Sequence, residues 1–139
     1  MRKHIGRALL ASPGHPNADY LPIWNADMTT PDKRNAYRHL RSIAVEQAVE
    51  REVSAVLARD FYFRCMACES DGEADDLETS GIGIVSSCLA CQRSQGWLGR
   101  QHPRDTISRG KLWNVDKVHS RYSGPLRLNL LARRIQEML

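Results

Sequence analysis

Four cysteines constrain this chain more than any other feature. They stand as Cys65-Met66-Ala67-Cys68 and Cys88-Leu89-Ala90-Cys91, two C-x2-C turns on either side of residues 69 to 87. Each turn offers a pair of thiolates, and four soft ligands suit the closed tetrahedral shell of a structural Zn2+ ion. Two disulfides are the alternative, but these belong to oxidising compartments. The one short apolar run near the start, Ala8-Leu9-Leu10-Ala11, is too brief for a signal peptide and meets Ser12-Pro13-Gly14 at once. A redox C-x-x-C would leave the second pair without a role. Four thiolates leave no open coordination position, so the metal is expected to organise structure and not to catalyse.

A chain of 139 residues has room for one domain. Only 6% of its residues are aromatic, so the core must be largely aliphatic and thin, and zinc would add folding free energy. No stretch approaches the ~20 apolar residues that a membrane span requires. With thiols kept reduced, these features predict an intracellular protein of the cytoplasm, nucleoid or nucleus.

Charge is segregated. Residues 1 to 64 carry a net +3, residues 69 to 78 hold six acids and no base, and residues 92 to 139 carry +7. A basic segment of this kind favours a polyanionic partner, DNA or RNA. The acidic stretch Glu69 to Glu78 reads as a solvated loop, too charged to bury.

An α+β architecture is expected. Residues 1 to 29 are punctuated by Pro13, Gly14, Pro16 and Pro22 and read as an irregular arm, whose Arg2, Lys3, His4 and Arg7 could lie along a nucleic acid. Within it Tyr20, Leu21, Ile23 and Trp24 form an apolar cluster suited to packing on the next element. Residues 30 to 60 read as one long helix: Thr30 caps it, Pro31 takes the first position, and Leu40, Ala44, Val49, Val53 and Val56 recur on one face. Such a helix would reach about 42 Å and offers a surface for a homodimer. Arg34, Arg38 and Arg41 would share a second face of it, turned to phosphates or to water.

Residues 61 to 97 are then the zinc module. Phe61-Tyr62-Phe63 and Ile82 to Val85 read as short strands that deliver the two cysteine turns. Strand, turn, loop, strand, turn resembles the zinc ribbon and the treble clef, the four-cysteine zinc-binding families. The run Cys88-Leu89-Ala90-Cys91-Gln92-Arg93-Ser94-Gln95-Gly96 resembles the closing C-x-x-C-N-x-x-K-G of four-cysteine HNH nucleases, departing from it at Gln92 and Gln95. That family places catalytic histidines between its cysteine pairs, and residues 69 to 87 contain none. The five histidines, His4, His15, His39, His102 and His119, are scattered without ligand spacing. No nucleophile or phosphate-loop motif is present, so a non-enzyme is expected.

Residues 98 to 139 form a basic segment and a C-terminal helix. Arg93, Arg100, Arg104, Arg109 and Lys111 are interleaved with Trp97 and Trp113, the pattern of cations and stacking platforms that suits unpaired bases. The alternative for both tryptophans is a place in the core. The helix Leu126 to Leu139 has a broad apolar face that needs a surface to cover. The sequence therefore predicts a structural-zinc, nucleic-acid-binding, transcription-associated regulator. The second reading is an adaptor or inhibitor of nucleic-acid-processing or host-defence machinery. It would meet its protein partner through the acidic stretch 69 to 78 or the helix 126 to 139.

Overall fold

A computed structural model describes residues 1–62 and 65–119, together with Asn129, Ala132, Arg133 and Gln136. Among them every regular element is helical: α1 (Arg2–Leu10), α2 (Leu21–Asn25), α3 (Pro31–Tyr37), α4 (Ile43–Asp60), α5 (Asp71–Ser87) and α6 (Asp105–Ser108). Short 3₁₀ turns at Ala18–Tyr20, Arg38–Leu40 and Leu98–Gln101 link them. The expected α+β zinc module is not formed. Ile82, Ile84 and Val85 lie inside α5, and Phe61 and Tyr62 are in no regular structure. Phe63 and most of the expected C-terminal helix 126–139 lie outside the described residues; Asn129, Ala132, Arg133 and Gln136 are helical and exposed.

The segment read as an irregular arm is the centre of the core. Ile5, Ala8 and Leu10 of α1 are all but fully buried. They meet Val49, Val53 and Val56 of α4, and Leu21, Trp24 and Leu57 close the cluster from the sides. Gly6 permits this packing: the indole of Trp24 lies on it so closely that a Cβ would overlap the ring. The ring is held there by its Nε1–H, which donates to the Lys3 carbonyl at 3.1 Å.

The expected long helix breaks in the middle. Thr30 does cap its first part, accepting from the Lys33 N–H at 3.3 Å, with Pro31 at the first position. α3 ends at Tyr37, and Arg41 and Ser42 are extended before Ser42 caps α4 through the Val45 N–H. Side chains hold the break open. Tyr20 Oη accepts from the Ser42 N–H at 2.9 Å and donates to Glu46 at 2.8 Å, while Arg41 grips the same carboxylate with two bonds. The backbone groups freed by the interruption are thereby satisfied. Arg34, Arg38 and Arg41 consequently share no helical face.

The acidic stretch is the first half of α5 and not a loop. Ser70 caps it, accepting from the Glu73 N–H at 3.2 Å, and Glu73 reaches back to the Glu69 N–H at 2.6 Å. That is the reciprocal pattern of a capping box shifted by one residue, and Asp71 and Glu73 complement the positive helix end. Leu77, Ser80 and Gly83 form the buried face. Segment 111–119 docks on α5: Lys117 Nζ bonds Asp75 at 2.6 Å and Glu78 at 2.7 Å, and Ser86 Oγ donates to the Val118 carbonyl at 2.8 Å. Lys117 adopts a left-handed backbone (φ 61°), an unfavourable conformation for a side-chain-bearing residue, which its two carboxylate partners help hold.

Candidate functional site

Helix α1 packs against the turn Leu98–Gln101, and this contact brings together residues almost a hundred positions apart. His4 projects from α1 to His102, immediately after the turn. The Nδ1 of His4 and the Nε2 of His102 are 3.0 Å apart, with ring centroids at 5.1 Å. His102 is 3% exposed. Arg7, one helical turn beyond His4, places Nη1 at 3.3 Å from the same His4 Nδ1 and donates through Nε to Asn25 Oδ1 at 2.5 Å. Arg104 closes the group. Its backbone N–H donates to His102 Nδ1 at 2.9 Å, and its exposed guanidinium makes no hydrogen bond or ion pair among the described residues.

The bonding settles where the protons lie. His102 Nδ1 accepts from a backbone N–H, so in the neutral ring the proton is on Nε2, and Nε2 donates to His4 Nδ1. His4 Nδ1 is then an acceptor, shared with Arg7, and the His4 proton sits on Nε2. Both rings are held neutral. Burial pushes His102 down to about 4, and His4 and Arg7 beside it add to the effect. His4 is lowered by burial first and then by Arg7, the chain's amino terminus and Arg104, against an opposing pull from Asp116. Arg7 is itself lowered by burial and by Arg104. Two neutral imidazoles among two guanidiniums make a site rich in N–H donors and short of acceptors. It can hold an anion. It is ill suited to take a proton, because each ring's acceptor nitrogen is already engaged.

The residues singled out by sequence are mostly committed elsewhere. Arg93 Nη1 donates to the Ser108 carbonyl at 2.7 Å and Lys111 Nζ to the Cys88 carbonyl, so both staple the basic segment. Arg109 pairs with Asp105 at 3.4 Å, Arg41 with Glu46, and Arg34 with the Met28 and Thr29 carbonyls. Arg100 reaches the Ser94 carbonyl at 3.5 Å. Arg38 is exposed, and among the described residues its side chain makes no hydrogen bond or ion pair. Trp97 is half-buried against Trp113. Of the candidates in the basic segment, Arg104 alone belongs to the histidine site, where it joins His4 and Arg7 of the N-terminal segment.

The cysteines form two pairs and not one cluster. Cys65 and Cys68 precede α5, Cys88 and Cys91 follow it, and a helix of 17 residues is about 25 Å long. All four are free thiols, and among the described residues no three His, Cys, Asp or Glu side chains come together to hold a metal ion. Within the second pair the Cys91 N–H donates to Cys88 Sγ at 3.3 Å. The Cys91 thiol also bonds Cys88, lowering the Cys88 thiol and raising that of Cys91.

The family model described as a GIY-YIG domain matches residues 1–139, and the chain belongs to that family. No curated protein and no solved structure matches it. GIY-YIG domains are generally endonuclease domains. The expected zinc-ribbon or treble-clef membership, the structural regulator and the non-enzyme are all overturned by this match. The tripeptides Gly-Ile-Tyr and Tyr-Ile-Gly do not occur in the chain; His4-Ile5-Gly6 and Gly81-Ile82-Gly83 each depart by one residue. Among the described residues no helix is long and apolar enough to cross a membrane.

Proposed function

We propose that the chain cleaves phosphodiester bonds in nucleic acid, and that His4, Arg7, His102 and Arg104 form its phosphate-stabilising site. The observation that carries this is the neutral His4–His102 pair flanked by two guanidiniums. Displacement at phosphorus spreads negative charge over the equatorial oxygens, and donors already aimed at that charge lower the barrier. Arg104 and Arg7 supply charge, and His4 Nε2–H supplies a neutral donor. His102 does not face the phosphate in this scheme. It is a positioning residue that fixes the His4 tautomer, much as a buried hydrogen bond fixes any imidazole's orientation. The site supplies no base, so activation of the attacking water falls to groups outside it.

Zinc binding by Cys65, Cys68, Cys88 and Cys91 fits this proposal in donor chemistry. In the helical arrangement each pair acts alone, as half a ligand set. The test of the catalytic reading is hydrolysis of end-labelled single- and double-stranded oligonucleotides by the full chain. Arg104→Ala is expected to lower kcat by about tenfold to a hundredfold with its circular dichroism unchanged. Cleavage at the full rate without Arg104 removes the site from the mechanism.

A further inference from the structure

A cavity of about 530 Å³ opens between the end of α4 and the segment leading into the turn Leu98–Gln101, the turn that His102 follows. Phe61, Trp97 and Trp113 form its walls, Asp60 and Ser94 give it polar groups, and Gly96 lies on its lining. The aromatic wall is fixed in advance. Trp97 and Trp113 meet edge to face with centroids 5.6 Å apart and planes at 67°. The Trp97 indole lies on Gly99, where any Cβ would overlap it, and the Arg93 guanidinium carbon stands 6.0 Å from the same ring. Arg93 is itself anchored to the Ser108 and Gly110 carbonyls. Both tryptophans remain only half-buried.

Protein interiors close-pack, and an aromatic cavity kept open in an aromatic-poor chain is an unfilled place for a flat ligand. The polar groups define the ligand further. The Asp60 carboxylate, 43% exposed and paired with Arg59, accepts hydrogen bonds, as does the Ser94 hydroxyl. A ring with an apolar face and amino groups on its edge matches both. Position points the same way. Trp97 enters the turn and His102 leaves it, and at a 3₁₀ rise of ~2 Å per residue the two are about 10 Å apart along the chain. One oligonucleotide can reach both.

We propose that this cavity receives a single unpaired nucleobase, stacked on the Trp97–Trp113 wall, while the adjoining phosphate engages Arg104 and Arg7. The inference rests on the reading of the chain as acting on nucleic acid, and it adds that the strand is gripped through an unstacked base. Stacking on aromatic side chains tolerates any base, so the wall confers strandedness, while the acceptors of Asp60 and Ser94 favour bases that carry an amino group.

The probe is an uncharged nucleoside, adenosine or guanosine, titrated into the full chain with tryptophan emission and calorimetry as readouts. Saturable quenching is expected. Gly96 is exposed, has no neighbour within 4 Å of a built Cβ and lacks a left-handed φ, so Gly96→Leu adds bulk at the cavity lining without strain. That variant and Trp113→Ala are each expected to weaken nucleoside binding at least fivefold, the lower end of one aromatic stack. Arg104→Ala is expected to leave it unchanged, because a nucleoside carries no phosphate. Absence of saturable binding, equal binding by Gly96→Leu, or tighter binding of N-acetyl-phenylalaninamide than of either nucleoside overturns the proposal. The two readings fail separately: cleavage without nucleoside binding removes the base site and keeps the nuclease, and binding without cleavage does the reverse.

Discussion

Acid should destabilise this protein through His102, and the size of the effect can be worked from its surroundings. The unfolded chain takes up a proton at this imidazole near pH 6.5, whereas in the folded protein burial and the neighbouring His4 and Arg7 delay it to about 4. Between those values the unfolded state binds more protons, so stability is complete above pH 6.5 and falls as the pH drops towards 4. At ~1.36 kcal/mol per unit the whole shift is worth about 3 kcal/mol. Half-buried His4 and exposed Arg104 let water screen the site, which reduces the effect to about 1–2 kcal/mol. For a chain of this size that is a fall in Tm of about 4–8 °C. The variant His102→Gln cannot titrate and keeps an oxygen able to accept from the Arg104 N–H. Thermal unfolding of both proteins from pH 7.5 to 4.5 separates this loss from the general effect of acid: the wild type should lose several degrees more than the variant. Parallel curves, or a His102 imidazole that titrates near 6.5 by NMR, would show that the ring is not buried against His4 and would refute the proton assignment.

Other consequences are open to measurement. Gly6→Ala gains helix propensity of about 1 kcal/mol but drives a methyl into the Trp24 indole, which is pinned to Lys3 and the core, so a net loss of about 1–2 kcal/mol is expected in the urea midpoint. An unchanged midpoint would mean that Trp24 does not lie on α1. Lys117→Ala removes both bonds to Asp75 and Glu78 and should speed amide hydrogen exchange in the middle of α5; equal exchange would place the 111–119 segment elsewhere. For the cysteines, Cys65→Ser with Cys68→Ser should leave zinc affinity at Cys88 and Cys91 unaltered. Loss of all bound metal on removing one pair would show that the four thiolates converge and that α5 is not continuous.

Local signals carried part of this fold in the sequence. Thr30-Pro31 marks the start of α3, and Val49, Val53 and Val56 mark the buried face of α4, because caps and periodicity act over a few residues. Ile5, Ala8 and Leu10 lack so regular a spacing, and prolines just beyond them suggest an arm. The decisive fact is that α1 has α4 to cover, a long-range matter. Ser42 and Ser70-x-x-Glu73 are legible as caps in retrospect. A continuous apolar face masks the first and a dense acidic run the second. The site was less accessible still. His4 and His102 have no spacing relation that a motif could express, and only the docking of α1 on the Leu98–Gln101 turn makes them neighbours. Arg104 is one of five bases that the sequence offers together, and nothing local distinguishes it from Arg93 or Lys111. Their difference is that backbone carbonyls consume the latter two.

For the cysteines, the conformation of the intervening residues matters as much as their spacing. Nineteen residues of coil close a metal-bound ring at modest entropic cost, since the penalty grows only logarithmically with length. Most of the same residues instead form α5, about 25 Å long, with one pair before it and the other after it, and among the described residues no three potential metal ligands come together. Ser70, with Glu73 reaching back, caps that helix, a contribution of about 1 kcal/mol. The functional consequence is that activity must be organised where the chain does converge. Here that is the interface of α1 with the turn after Trp97, where the two rings share a hydrogen bond, Arg7 is tied to His4 and Asn25, and the Arg104 guanidinium is exposed. A residue's role in this domain is therefore set by whether the fold leaves its donors unspent, and not by its density of charge along the chain.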